Sequence, residues 1–82
     1  MIILTPGKTT GKQVYRIVMQ AIARRKKELK SDVYLRDFCE VKKLGRATIY
    51  RWRDNIETPN AIGLTKVAQT LNEWGYPAQI EV

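Results

Sequence analysis

The stretch Cys39–Trp52 reads CEVKKLGRATIYRW, and its reading decides the fold. Two short helical patterns meet at Lys43-Leu44-Gly45, a connection with room only to fold one helix across the other. With helices on both sides, Phe38, Cys39, Leu44, Ile49 and Trp52 fall on inward faces at helical spacing. Arg46, Thr48, Tyr50, Arg51 and Arg53 are left around the outside of the second helix. That is the pattern of a helix-turn-helix, whose second helix is shaped to lie in the major groove of DNA. The expected motif covers about residues 35–54, with the second helix running from Arg46 to Asp54.

Working outward, Ser31-Asp32 offers an N-cap for a first motif helix from about Val33 to Lys42, with Leu35, Phe38 and Cys39 inward. Further upstream, Thr10 followed by Gln13 is a capping box that starts an earlier helix. Val14, Ile17, Val18, Ala21 and Ile22 then lie on one apolar face of it. Arg24, Arg25, Lys26, Lys27 and Lys30 crowd its C-terminal end, where cations suit the helix dipole. A solvated, dipole-matched helix end is the preferred reading of that cluster, and supplementary phosphate contact is the alternative. On the other side of the motif, Asn55 suits the left-handed conformation that ends a helix. Asn60 caps a last helix whose core side is Ile62, Leu64, Val67, Ala68 and Leu71, and Gly75 closes it. The ends, residues 1–5 and 76–82, are short extended segments that pair either within one chain as a small β-sheet or between two chains. The expected fold is mainly α: one compact four-helix helix-turn-helix domain over residues 1–82, with extended N- and C-terminal segments.

Charge narrows the partner. The net charge is +7 and the pI near 9.9, which favours a polyanion. Residues 1–44 hold eleven Lys/Arg against four Asp/Glu, whereas residues 45–82 hold four of each. The one cysteine and the absence of histidine exclude an intramolecular disulfide and a Cys/His zinc site. Cys39 reads as a small core hydrophobe. The stretch GKTTGK at residues 7–12 is not a phosphate loop, because its glycines are separated by three residues rather than four and Lys12 is followed by Gln13. No nucleophile stands at helical spacing from a plausible base, so an enzyme is the weakest class. No cofactor, metal or small-molecule ligand is expected. MIILTPGKTT lacks a signal peptide's basic start, and no apolar run approaches a membrane span. The expected location is the cytoplasm of a bacterial host cell.

From Leu35 to Leu71 the chain resembles the lambda-type repressor and Cro family of helix-turn-helix regulators. Cys39, Leu44, Ile49 and Trp52 fit that family's frame of a small residue, a turn hydrophobe, a second hydrophobe and a large apolar residue. TPNAIGLTKVAQTL, from Thr58 to Leu71, is similar to the family's sequel of polar loop, proline, cap and helix. Three departures stand out. Lys43 occupies the position of the usual turn glycine; a left-handed lysine costs on the order of 1 kcal/mol, so a differently shaped turn is expected. Leu35 replaces the polar residue that grips phosphate at the start of the first motif helix, leaving Tyr34 or Arg36 as substitutes. The family's fifth helix is missing, and Tyr76–Val82 is more similar to the short dimer-building strand of Cro-like proteins.

The resemblance implies base-edge contacts from Arg46, Ala47, Thr48 and Arg51. Arginine can bond both O6 and N7 of guanine, and an alanine or threonine methyl can touch that of thymine. It implies phosphate contacts from Lys42, Lys43, Tyr50, Arg53, Thr58 and Asn60, which set register without reading sequence. The partner is then double-stranded DNA with a two-fold operator, bound by a homodimer. Trp74, Tyr76, Ile80 and Val82 are the candidate dimer residues, together with Met1–Leu4. The function so implied is a transcription regulator of phage or bacterial repressor type. A phage excisionase-like architectural protein and an autoregulating antitoxin are the alternatives.

Overall fold

The structure is a computed structural model describing all residues 1–82. In chain order the elements are β1 (Ile2–Leu4), α1 (Gly11–Leu29), α2 (Leu35–Val41), α3 (Arg46–Arg53), α4 (Ala61–Glu73) and β2 (Ala78–Ile80). Side chains beside the backbone set where most helices start. At α1 the Thr10 hydroxyl accepts from the Gln13 N–H at 3.1 Å, and Gln13 Oε1 accepts from the Thr10 N–H at 2.8 Å. At α4 the Asn60 Oδ1 accepts from the Gly63 N–H at 2.7 Å. Helix α2 begins later than Ser31-Asp32 would place it. Tyr34 is its N-cap, and the Asp37 carboxylate accepts the Tyr34 N–H at 2.7 Å. Asp32 is instead paired with Lys26 at 3.4 Å.

Every helix stops on a left-handed residue: Lys30 (φ 52°), Lys43 (φ 56°), Asn55 (φ 61°) and Gly75 (φ 90°). In each case the next N–H reaches back to a carbonyl of the last turn. The pairs are Ser31 to Lys26 at 3.3 Å, Leu44 to Cys39 at 2.8 Å, Ile56 to Arg51 at 2.9 Å, and Tyr76 to Leu71 at 2.8 Å. This is the Schellman closure, which satisfies carbonyls the helix leaves open. Asn55 and Gly75 take the roles their chemistry suggests. Lys43 does not reshape the turn: it adopts the left-handed conformation itself. The Leu44–Cys39 bond and the burial of both those side chains offset its strain.

The core is built from all four helices and both strands. Its largest fully buried side chains include Trp52, Phe38, Leu4, Ile49, Leu64 and Leu71. Two glycines seat α3 against its neighbours. A Cβ at Gly11 would overlap the Trp52 carbonyl, and one at Gly63 would lie 2.7 Å from Cζ2 of the Trp52 indole. The backbone of α1 and that of α4 therefore approach Trp52 from two sides. This also corrects the reading of α4: Ile62 is 71% exposed, because Gly63 and Leu64 fill the inward positions.

The terminal segments pair with each other. Strands β1 and β2 run parallel, with Ile2 opposite Ala78 and Leu4 opposite Ile80. Bonds from the Ile2 N–H to the Pro77 carbonyl and from the Glu81 N–H to the Leu4 carbonyl, both 2.9 Å, extend the ladder. The Asn72 carboxamide holds β2 to α4 by donating to the Ala78 carbonyl and accepting from its N–H, each at 2.9 Å. Leu4 and Ala78 are buried, so this small sheet closes one side of the core. No helix is long and apolar enough to cross a membrane.

Candidate nucleic-acid interface

The candidate interface is the outer side of α3 and the turns at its two ends. Ile49 and Trp52 point into the core, which fixes what the remaining positions present. Arg46, Ala47, Tyr50, Arg51 and Arg53 are exposed, and Thr48 is half-buried. Gly45 is the N-cap, and its carbonyl accepts from the Thr48 N–H at 3.1 Å. The first turn of α3 carries no acidic residue.

Ion pairing divides the cations sharply. Lys42 is held by Glu73 at 2.7 Å, and Arg53 grips the Asp54 carboxylate through Nε at 2.8 Å and Nη2 at 3.1 Å. That guanidinium holds the Asp54 carboxyl below the usual carboxylate range. Arg46, Arg51 and Lys43 have no carboxylate within ion-pairing distance. Two residues expected to act alike, Lys42 and Lys43, are thus in different electrostatic states. Thr58 and Asn60 are exposed, and the Asn60 oxygen is committed to capping α4, leaving its NH₂ to face outward.

An open hollow of about 420 Å³ lies beside the start of α3, lined by Tyr34, Leu35, Arg36, Arg46 and Tyr50. It brings the N-terminal end of α2 next to the recognition candidates. Leu35 is half-buried with its polar-free side chain packed on the core, while Tyr34 and Arg36 are exposed. The Arg36 guanidinium lies 5.2 Å from the Tyr34 ring centroid, a cation–π contact that orients it at the rim. Two guanidiniums and two phenols line this hollow without a carboxylate, a composition suited to phosphate oxygens.

The dimer candidates separate as well. Tyr76 is 3% exposed; its hydroxyl donates to Glu28 at 3.2 Å and its ring lies 4.5 Å under the Arg24 guanidinium. Trp74 is half-buried, edge-on to Phe38 at 5.1 Å and beneath Arg25 at 5.4 Å. Both rings are therefore occupied inside the chain. Ile80 remains partly exposed, and Val82, Met1 and Ile3 are exposed. Residues that sequence reasoning passed over are Gly11, Gly63 and Asn72. Their only signal is steric or comes from distant partners, so nothing local marks them. Burial pushes the Cys39 thiol above its ordinary range, in keeping with a core position. No known protein family, curated protein or solved structure matches the chain.

Proposed function

We propose that this chain is a sequence-specific, double-stranded DNA-binding transcription regulator of phage or bacterial repressor or Cro type. The observation that carries the reading is the outer side of α3. There Arg46 and Arg51 stand exposed and free of any carboxylate, on a helix fixed to the core by Ile49 and Trp52. A buried arginine–acid pair would be a structural strut; an unpaired pair of arginines on a rigid helix suits guanine edges in the major groove. Ala47 and Thr48 supply methyl groups between them. Lys43, Tyr50, Thr58 and the NH₂ of Asn60 supply the phosphate grip, and Arg36 with Tyr34 takes the place of the polar residue that Leu35 lacks.

One domain of this size reads only a few base pairs, so the proposal includes a homodimer on a two-fold operator, with half-sites about one helical turn apart. Ile80 and Val82 are the dimer candidates left once Trp74 and Tyr76 are committed inward. Removing the whole Tyr76–Val82 tail is an unsuitable test, because Tyr76 and Ala78 are part of the core. Val82→Lys is the milder probe: it should shift sedimentation toward monomer and weaken operator binding while leaving the circular dichroism unchanged.

The test of the main reading is a fluorescence anisotropy titration across a salt series. It compares a duplex recovered by selection from a random-sequence library with its scrambled counterpart. A specific regulator prefers its site by roughly 10³-fold or more. Equal, steeply salt-dependent affinity for the two duplexes would end the sequence-specific reading and leave only a basic surface.

A further inference from the structure

Arg53 offers the most specific arrangement outside the proposed reading surface. Its guanidinium makes two hydrogen bonds to Asp54. It also lies 4.8 Å from the Tyr50 ring centroid and 5.7 Å from that of Tyr15. Tyr15 belongs to α1, Tyr50 to α3 and Asp54 is the C-cap of α3, so one side chain joins groups from both helices and the cap. This lies where the last turn of α3 meets the N-terminal part of α1, near the close approach of Gly11 to the Trp52 carbonyl. We infer that Arg53 is a positioning residue, which with Tyr15 and Asp54 brackets the C-terminal turn of α3 and fixes Tyr50, rather than a group that contacts DNA phosphate.

Geometry gives the reason for such a bracket. Helix α3 has only eight residues, and its inward anchors are Ile49 and Trp52. Both lie on one side, so they resist withdrawal of the helix better than they resist its rolling about its own axis. An atom about 6 Å from a helix axis moves by about 1 Å for a roll of about 10°. Bidentate contacts need placement within about 0.5 Å. Roll is therefore the motion that would blur Arg46 and Arg51, and a tie from the outer edge of α3 to α1 opposes it. Arg53 stays exposed, but the pairing with Asp54 already occupies its Nε–H and one Nη2–H.

The inference rests on the DNA-binding reading for its consequence, but the bracket itself is tested without DNA. In the free full-length protein, the Arg53 Nε–H should exchange slowly with water and be shifted upfield by the rings. Tyr15→Leu should weaken both effects. A fast-exchanging, unshifted Arg53 Nε–H in the native chain overturns the bracket, whatever the protein binds. With DNA, the charge-neutral variant Arg53→Gln/Asp54→Asn separates the two roles. A positioning residue predicts that preference for the selected duplex falls about tenfold, within what one bidentate pair discriminates. Affinity for the scrambled duplex and the salt dependence should stay as in the native chain. A phosphate contact predicts instead that both affinities fall together and that the log–log salt slope drops by about 0.9. That second pattern would overturn the inference while leaving the DNA-binding reading intact.

Discussion

Two regions of the molecule are rich in cations, and they are built in opposite ways. At the C-terminal end of α1, Arg24 pairs with Glu28 at 2.9 Å and lies over the Tyr76 ring. Arg25 donates to the Trp74 carbonyl at 3.4 Å and covers the Trp74 ring, and Lys26 pairs with Asp32. Three of the five basic residues there are tied to neighbours, and two of them, Arg24 and Arg25, brace α1 against the start of the C-terminal tail. Around α3, Arg46, Arg51 and Lys43 have no acid partner. Lys27 and Lys30 are unpaired at the α1 end too; the difference lies in the arginines, with Arg24 and Arg25 both tied to neighbours and Arg46 and Arg51 both free of acid partners. Charge counted along the chain therefore points to the α1 end, whereas the untied Arg46 and Arg51 lie on α3.

The comparison breaks most visibly at α3. Arg46→Ala and Arg51→Ala should each lower preference for the selected duplex by about 1–3 kcal/mol, read by anisotropy against the scrambled duplex. Arg24→Ala should leave that preference unchanged; a loss as large as that for Arg51→Ala would erase the distinction between the two regions. Next comes Lys43, where fold and function oppose each other. Lys43→Gly should raise stability by about 1 kcal/mol by relieving the left-handed lysine. The same change should lower the salt slope of DNA binding by about 0.9 if that lysine meets a phosphate. Chemical denaturation and the salt series read the two effects separately.

A smaller effect belongs to the α1 end. Burial, then the Glu28 carboxylate, raises the ionisation of Tyr76 above its usual value near 10. The neutral phenol is thus the form favoured by folding. Its contribution is fully present below the unfolded value and is lost as pH rises through the folded one. Stability should fall as pH climbs above about 10, and Tyr76→Phe should flatten that fall. At neutral pH, Tyr76→Phe should cost about 1 kcal/mol for the lost hydrogen bond without altering DNA preference. Arg24→Ala should cost a comparable amount: the exposed pair with Glu28 contributes about 0.2–1 kcal/mol and the contact over the Tyr76 ring about 0.5–1 kcal/mol, measurable as a shift of the denaturation midpoint.

What could be read from the chain itself follows the range of the interaction. The capping box at Thr10-Gln13, the caps at Asn60 and Gly75 and the stop at Asn55 depend on residues within one turn, and all stand where local chemistry puts them. The start of α2 is not fixed by spacing because two local caps compete: Asp32 is drawn to Lys26 while Asp37 serves Tyr34. Helical periodicity puts Ile62 inward because it treats glycine as empty, whereas Gly63 is the inward position that the Trp52 ring fills. On the interface, the exposed residues of α3 were legible as soon as Ile49 and Trp52 were placed inward. Which cations are free was not. Lys42 finds Glu73 across the fold, and that partner cannot be inferred from spacing. Trp74 and Tyr76 look like surface aromatics in sequence, and only the return of the tail under Arg24 and Arg25 buries or covers them.

The parallel pairing of β1 with β2 has a mechanical consequence. The two strands stand at opposite ends of the chain yet point the same way, with Ile3 opposite Gln79. A force drawing Met1 and Val82 apart slides one strand past the other, so the ladder bonds are loaded together in shear rather than opened one after another. Pulled by its ends, this small helical domain should resist at its sheet first, and α1 to α4 should yield only after the two strands have parted.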